Sequence, residues 1–421
     1  MVETTEAAPP KTKPDRKRRR WPRYGAGSAL ALLVATGGTG WYFAGEVIKV
    51  EHAAPDFALT VVEASDTEVT LPADEATRRA GTWGLHWDSG RAVIGEVVRS
   101  DGDNVVRELD EVVYGNLSAG TKVRVDTWTY GEDPKQAHGI DFEKVSVPGK
   151  LGEFPGWLVK GDRDTWVIAV HGRNANPGES LRAIPIYREA GFPVLAVSYR
   201  NDVGAPRSPD GYHHLGDSEW ADVSAAVDYA ISRGAKDVVL HGWSMGGAVS
   251  MTALRRMDDP DRISGIVLDS PVLDWSSTLD KQASQRWLPG PVTDLAKGLA
   301  EWRTGVDLSG LDQRSFAPKM RTPVLLFADT ADETVDVSAT LEFAGKMPSE
   351  LLTLVETASG HTASWNEDPQ AYASKLDKFL ANLALRDLLT PQFVPPCSIR
   401  DQYFQDGKRL LASAACDYRC R

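Results

Sequence analysis

The sequence predicts an α/β protein, with a mainly parallel sheet, helices on both faces and a helical cap, preceded by a transmembrane helix and a small β-rich domain. Three observations predict it. After Val147 apolar runs of strand length alternate with amphipathic stretches. From Glu46 to Val147 the chain reads as short β-prone segments broken by Gly, Asp and Pro. From Tyr24 to Phe43 it carries no charge, directly behind a basic run.

The 421 residues suffice for about two or three domains, and 42% hydrophobic with 25% charged residues is an ordinary globular composition. Residues 1 to 23 hold eight Lys/Arg and three acids, a net +5, so the total of −12 leaves −17 for everything after them. An acidic body of this kind excludes nucleic acid as the expected partner.

The basic arm, residues 1–23, contains "KTKPDRKRRRWPR" and precedes "YGAGSALALLVATGGTGWYF". That uncharged stretch is long enough to span a bilayer, with Trp21, Tyr24, Trp41, Tyr42 and Phe43 at its two ends. The arm favours a cytoplasmic amino terminus, so a single-pass anchor over residues 24–45 is expected, with the remainder extracytoplasmic at the cell membrane. A cleaved signal peptide is the alternative; no A-x-A site follows the span, and its length exceeds a usual h-region. On this reading the anchor is separable, and removal of residues 1–45 leaves activity intact.

Residues 46–147 form the β-rich domain, with segments such as "FALTVVEA", "AVIGEVVRS" and "TKVRVDTWTY". Its "DGDN" at 101–104 lacks the later ligands of a calcium loop and reads as a turn.

Residues 148–388 carry the α/β alternation. Strands are expected at 165–172, 193–200, 237–242, 265–271, 323–329 and 351–357, most of them the continuous apolar runs of doubly covered strands. Helices fall at about 178–190, 217–233, 246–257, 336–346 and 368–385. The connection between Pro271 and Thr322 is too long for a loop and reads as a cap over about 272–321. Residues 389–421 form an extension that holds all three cysteines, Cys397, Cys416 and Cys420, without metal-site spacing. It is read as peripheral to function.

Within "VVLHGWSMGGAVSM", the motif Gly242-Trp243-Ser244-Met245-Gly246 has the form G-x-S-x-G, in which a strained strand-to-helix turn exposes a serine hydroxyl. Alone it is weak, with chance odds of roughly one in five in a chain this rich in glycine. A serine needs an imidazole to take its proton and a carboxylate to hold that imidazole. Of the eight histidines only His361 follows Ser244, and it sits in the polar loop "ETASGHTASWN" after the last expected strand. For the acid, "ADTADETVDVS" offers Asp329, Asp332, Glu333 and Asp336. Asp332 lies deepest in the loop and is preferred over Asp329, Asp336 suits a helix cap, and Asp269 is a distant alternative.

Backbone amides are expected to hold the oxyanion: that of Met245 after the serine, and that of Arg173, with Asn174 as alternative, in "HGRNAN" (171–176). His171 is read as a brace for that loop. In "DGYHHLGDSEW" (210–220) His213 and His214 are read as structural rather than metal-binding. Trp243 is left open between pocket wall and core.

Four elements in order, "HGRNAN", "GWSMGG", "ADTADETV" and "SGHTASWN", make the chain resemble the α/β-hydrolase superfamily over roughly 148–385. It is similar in particular to the membrane-anchored, Bem46-like serine hydrolases of bacteria, through "SYRND" and "SPDGYHHLGDSEWADVSAAV" as well. The resemblance implies a Ser244, Asp332, His361 triad and no metal or organic cofactor. The sequence departs from the family pattern at Val335-Asp336, where Val-Pro often follows the acid, and in the tail.

The expected function is a membrane-anchored serine hydrolase that cleaves carboxylic esters of small-molecule or lipid-like acyl substrates through an acyl-enzyme. A serine peptidase, a lipase or an acyl transferase would use the same triad. A non-catalytic envelope-binding protein is the alternative from another class.

Overall fold

The computed structural model describes residues 21–52 and 56–389. Most of the basic arm, and the extension with Cys397, Cys416 and Cys420, lie outside the described residues.

The α/β part is built on an eight-stranded sheet of order β15-β14-β13-β12-β10-β11-β9-β8. Its strands are β8 (Glu143–Gly149), β9 (Gly152–Val159), β10 (Thr165–Val170), β11 (Val194–Val197), β12 (Asp237–Trp243), β13 (Ile263–Asp269), β14 (Val324–Asp329) and β15 (Leu352–Thr357). From β11 to β15 neighbouring strands run parallel. The β8–β9 hairpin adds an antiparallel edge. Alternation sets the two faces: Ile168, Val170, Val238 and Leu240 face one core, and Val167, Ala169, Val239 and Trp243 the other. Six of the eight strands follow the apolar runs. The hairpin escaped that pattern because its charged and half-exposed residues hide the apolar period.

Helices Trp220–Ser232, Met245–Arg256, Val337–Lys346 and Pro369–Leu389 lie close to the expected ranges. Asp336 caps the third, accepting from Ser338 N at 3.1 Å. The expected helix at 178–190 is instead a 3₁₀ turn, Pro177–Arg182, followed by Ile184–Glu189. Pro185 explains the break, since its ring permits only a helix start at that point.

The β-rich part is an antiparallel sheet of order β1-β7-β4-β5-β6-β3-β2, formed by Leu59–Thr60, Glu63–Ala64, Glu68–Pro72, Trp83–Trp87, Gly90–Ser100, Asn104–Tyr114 and Lys122–Asp126 as β1 to β7. Leu71, Trp83, Leu85 and Ile94 fill its core. Arg107 is fully buried there, yet its guanidinium donates to Gly95 O, Thr77 O, Arg79 O and Gly81 O, so its charge is solvated by carbonyls. The "DGDN" stretch is the β5–β6 turn, closed by Asn104 N on Asp101 Oδ1 at 2.8 Å.

Asn366 docks this sheet on the α/β part. Its buried amide nitrogen shares its two hydrogens among Thr82 O (2.8 Å), Thr127 O (3.0 Å) and Thr129 Oγ1 (3.0 Å), and its oxygen accepts from Arg182 Nη1 (2.8 Å). Its main-chain oxygen accepts from Thr82 N at 2.8 Å.

The anchor expectation needs correction. A helix does cover it, Trp21–Ile48, but among the described residues no helix is long and apolar enough to cross a membrane. Gly25, Gly27, Gly37, Gly38, Gly40, Thr36 and Thr39 dilute its apolar content. Its carboxyl-terminal half packs on the cap helix Gly290–Thr304 through Ala44, Ile48 and Ala300. Trp41, expected at a membrane interface, lies under Arg303, whose guanidinium is 4.8 Å from the ring centre. The cap's other helix, Trp275–Gln285, holds the loop after β14: Lys281 Nζ donates to Asp332 O and Val335 O, and Gln282 Nε2 to Thr334 O.

Asn366→Ala should strand several buried polar groups and lower stability by about 2–4 kcal/mol. A calorimetric scan checks this, and an unchanged first unfolding midpoint would contradict the docking account.

Candidate active site

Ser244 stands between β12 and the helix Met245–Arg256 with φ 50° and ψ −117°, a backbone that non-glycine residues rarely adopt. The glycines permit it. A Cβ on Gly246 would lie 2.0 Å from Val170 O, and one on Gly242 would lie 2.5 Å from Gly246 O. Met245 is the first residue of the helix, so its amide is one that the helix itself leaves without an acceptor. Trp243 is buried and stacks on His241 at 3.7 Å between ring centres, a core residue rather than a pocket wall.

His361 Nε2 lies 2.9 Å from Ser244 Oγ, and His361 Nδ1 lies 2.7 Å from Asp332 Oδ2. The other Asp332 oxygen accepts from Thr334 N (2.7 Å) and Val335 N (2.8 Å), which fixes the carboxylate in its loop. The alternatives have other partners. Asp329 accepts from Ala331 N, Thr357 Oγ1 and Ser359 N, tying the acid loop to the histidine loop. Asp269 lies below the elbow, where its main-chain oxygen accepts from Ser244 N and its carboxylate from Ser364 Oγ. Burial pushes its carboxyl up from 3.8 to about 6.

The loop after β10 lies against the elbow: a Cβ on Gly172 would be 3.2 Å from Ser244 Cβ. His171 is buried with both ring nitrogens on acceptors, Asp202 Oδ2 at 2.8 Å and Gly172 O at 2.9 Å. Burial alone would lower its pKa, but the Asp202 carboxylate overrides burial and raises it, as a doubly donating imidazolium requires. Glu179 Oε2 accepts from Gly172 N at 2.7 Å, and Tyr199 OH donates to Gly172 O. His171 therefore braces the loop.

Sequence patterning did not reveal what the side chains of that loop do. Arg173 donates to Val47 O (3.0 Å) and Glu46 O (3.2 Å), at the carboxyl end of the first helix, where a cation is favourable. Asn174, at φ 56°, accepts from Glu51 N and from His213 Nε2. Burial, then the neighbouring Arg173, push His213 down to about 3, so it is neutral and donates. His214 faces Asp210 Oδ2 at 2.8 Å and Ser218 Oγ at 2.6 Å. Among the described residues no group of three or more His, Cys, Asp and Glu is gathered as a metal would require.

Two cavities adjoin the loops of this site, one lined by His361 and the other by Arg173. The larger, about 820 Å³, is lined by His361 and the acid loop on one side and by Arg79, Trp83 and Trp128 of the β-rich part on the other. The smaller, about 360 Å³, lies between the first helix and the cap, lined by Phe43, Arg173, Leu279 and Ala283 among others. Neither was legible in the sequence, since each draws its walls from segments far apart in the chain.

The architecture is that of the α/β-hydrolase fold. Residues 180–385 match the model of the prolyl oligopeptidase family, and residues 60–126 match a domain of unknown function, DUF8805. An esterase of Pyrococcus furiosus is similar in structure, with 21% identity over 60% of this chain and 95% of that one and a TM-score of 0.50. So are a CIB-like hydrolase of Thermoplasma acidophilum (18% identity, 58% and 100% covered, TM-score 0.41) and a bacterial membrane phospholipase A (17%, 58% and 87%, 0.41). No curated protein matches the chain. At 21% identity the likeness to the Pyrococcus furiosus esterase establishes the fold, and the family match over residues 180–385 supports a hydrolase.

The buried Asp269 carboxyl gives a pH test. Its folded pKa is raised, so its contribution is full below pH 3.8 and is lost as pH rises through about 6, a loss of about 3 kcal/mol. Asp269→Asn lacks this titration. Its stability relative to wild type should therefore rise by that amount across the window, and denaturant melts showing a constant difference would contradict it.

Proposed function

We propose that the protein is a serine hydrolase acting on carboxylic esters, with Ser244 as nucleophile, His361 as general base and acid, and Asp332 as the group that orients the imidazole. One observation carries the reading: a single imidazole is within hydrogen-bond reach of both a serine on a strained elbow and a carboxylate fixed by two amides. Ser244 Oγ attacks the acyl carbon while His361 Nε2 takes its proton. Asp332 holds Nδ1–H and stabilises the imidazolium. The oxyanion takes hydrogen bonds from the amides of Met245 and Arg173. On collapse His361 protonates the leaving oxygen, and water repeats the sequence on the acyl-enzyme.

The substrate is an acylated small molecule or lipid. A serine peptidase is the second reading, favoured by the prolyl oligopeptidase match; a lipase or an acyl transferase would use the same groups. Association with a membrane is a separate part of the proposal, supported by the basic run from Lys11 to Arg23. Fractionation of the full chain against one lacking residues 1–20 tests it: equal recovery in the soluble fraction would contradict it.

Ser244→Ala should abolish turnover of short-chain aryl esters, and Asp332→Asn should lower kcat by about 10⁴. Steady-state assays on esters and matching amides check both, and amide turnover at the ester rate would favour the peptidase. Because Arg173 is held by Glu46 and Val47, deletion of residues 1–48 should also lower kcat on the same esters, contrary to a separable anchor. An unchanged kcat in the truncated protein would show the helix to be dispensable for the oxyanion loop.

A further inference from the structure

In acyl transfer the departing oxygen takes its proton from the imidazole that first accepted the nucleophile's, so the leaving group exits on the histidine side. Here that side is the larger cavity, whose far wall belongs to the β-rich part. Of Ser244, Asp332 and His361, His361 alone lines the larger cavity, and none of the three lines the smaller.

The two walls are held in one frame. Asn366, in the short helix Ser364–Glu367 just after His361, donates to Thr127 O and Thr129 Oγ1 on either side of Trp128. Trp128 N donates to Asp126 Oδ1, and Arg91 and Arg124 fix that carboxylate from the other side. The indole also reaches the loop after β10, coming within 3.9 Å of where a Cβ on Gly178 would be. The segments that carry the indole and the imidazole are therefore joined by buried hydrogen bonds.

The lining selects a chemistry. About 820 Å³ is far more than a methanol or ethanol leaving group fills. Arg79 can only donate, Glu333 can only accept, and Thr127 and Thr334 can do both. Ring hydroxyls match such a mixed set, and a ring's C–H face matches the indole. A peptide leaving group needs a run of backbone partners, whereas this wall consists of side chains and turns with only the ends of β4 and β7.

We propose that the β-rich domain forms the leaving-group subsite of this hydrolase, and that it receives a bulky, hydroxyl-bearing ring alcohol stacked on Trp128. The proposal rests on the serine-hydrolase reading above. Its test compares ethyl butanoate with methyl 6-O-butanoylglucoside, two esters of one acyl group, in wild type, Trp128→Ala, Trp128→Phe, Arg79→Ala and Ser244→Ala.

In Trp128→Ala, kcat/KM for the glucoside ester should fall about tenfold relative to the ethyl ester, with recovery in Trp128→Phe. Arg79 is exposed enough to replace without loss of fold, so Arg79→Ala tests the same subsite if Trp128→Ala does not fold; it too should slow the glucoside ester selectively. A parallel change on both esters, an unchanged ratio, or wild-type turnover of the ethyl ester alone overturns the subsite and leaves the serine-hydrolase reading standing. Wild type inactive on both esters, or Ser244→Ala as active as wild type, overturns the underlying reading and the subsite with it.

Discussion

The α/β half of this molecule depends on how closely two main chains approach at residue 246. Val170 O occupies the space that a side chain there would need, so the helix Met245–Arg256 can begin against β10 only from a glycine. That approach leaves β12 a single residue in which to turn. Ser244 makes the turn in a left-handed conformation that costs of order 1–3 kcal/mol and persists where its surroundings over-determine it. Here they do: Ser244 N donates to Asp269 O, and Ser244 O accepts from Gly247 N and Val272 N. The strain lifts the hydroxyl clear of its own helix and toward His361.

Around that elbow the molecule is more integrated than a hydrolase with appendages. The β-rich sheet meets the segment around His361 through Ala363 and the buried Asn366, and the first helix meets the loop after β10 through Arg173. Both contacts fall within a few residues of groups proposed to act on substrate. Each outer part is thus tied to a loop of the candidate site, and each of the two cavities takes one wall from such a part.

Much of this was legible in the sequence where one local property decides structure. Strands covered on both faces must be apolar throughout, so β10 to β14 stood out, and Gly242 and Gly246 marked the elbow. The position of His361, alone downstream of the serine, singled it out without any geometry. Choosing Asp332 over Asp329 rested only on loop depth. What separates them in three dimensions is that Asp329 is occupied by Thr357 and Ser359, partners that become visible once β15 pairs with β14. The helix over the expected anchor falls short of a membrane span because a count of charges ignores glycine and threonine, and the cap surface that covers Ala44 and Ile48 is assembled from residues far along the chain. Trp128 and Asn366 carry no local signal at all, since their significance arises from contacts more than two hundred residues apart.

The central claim is that Ser244 carries the acyl group. Rapid quenching during turnover of a butanoate aryl ester, followed by peptide mapping by mass spectrometry, addresses it directly. The account predicts a burst of phenol close to one equivalent per protein molecule and a butanoyl adduct on Ser244. Turnover without a burst or adduct, or an adduct on another residue, would contradict it.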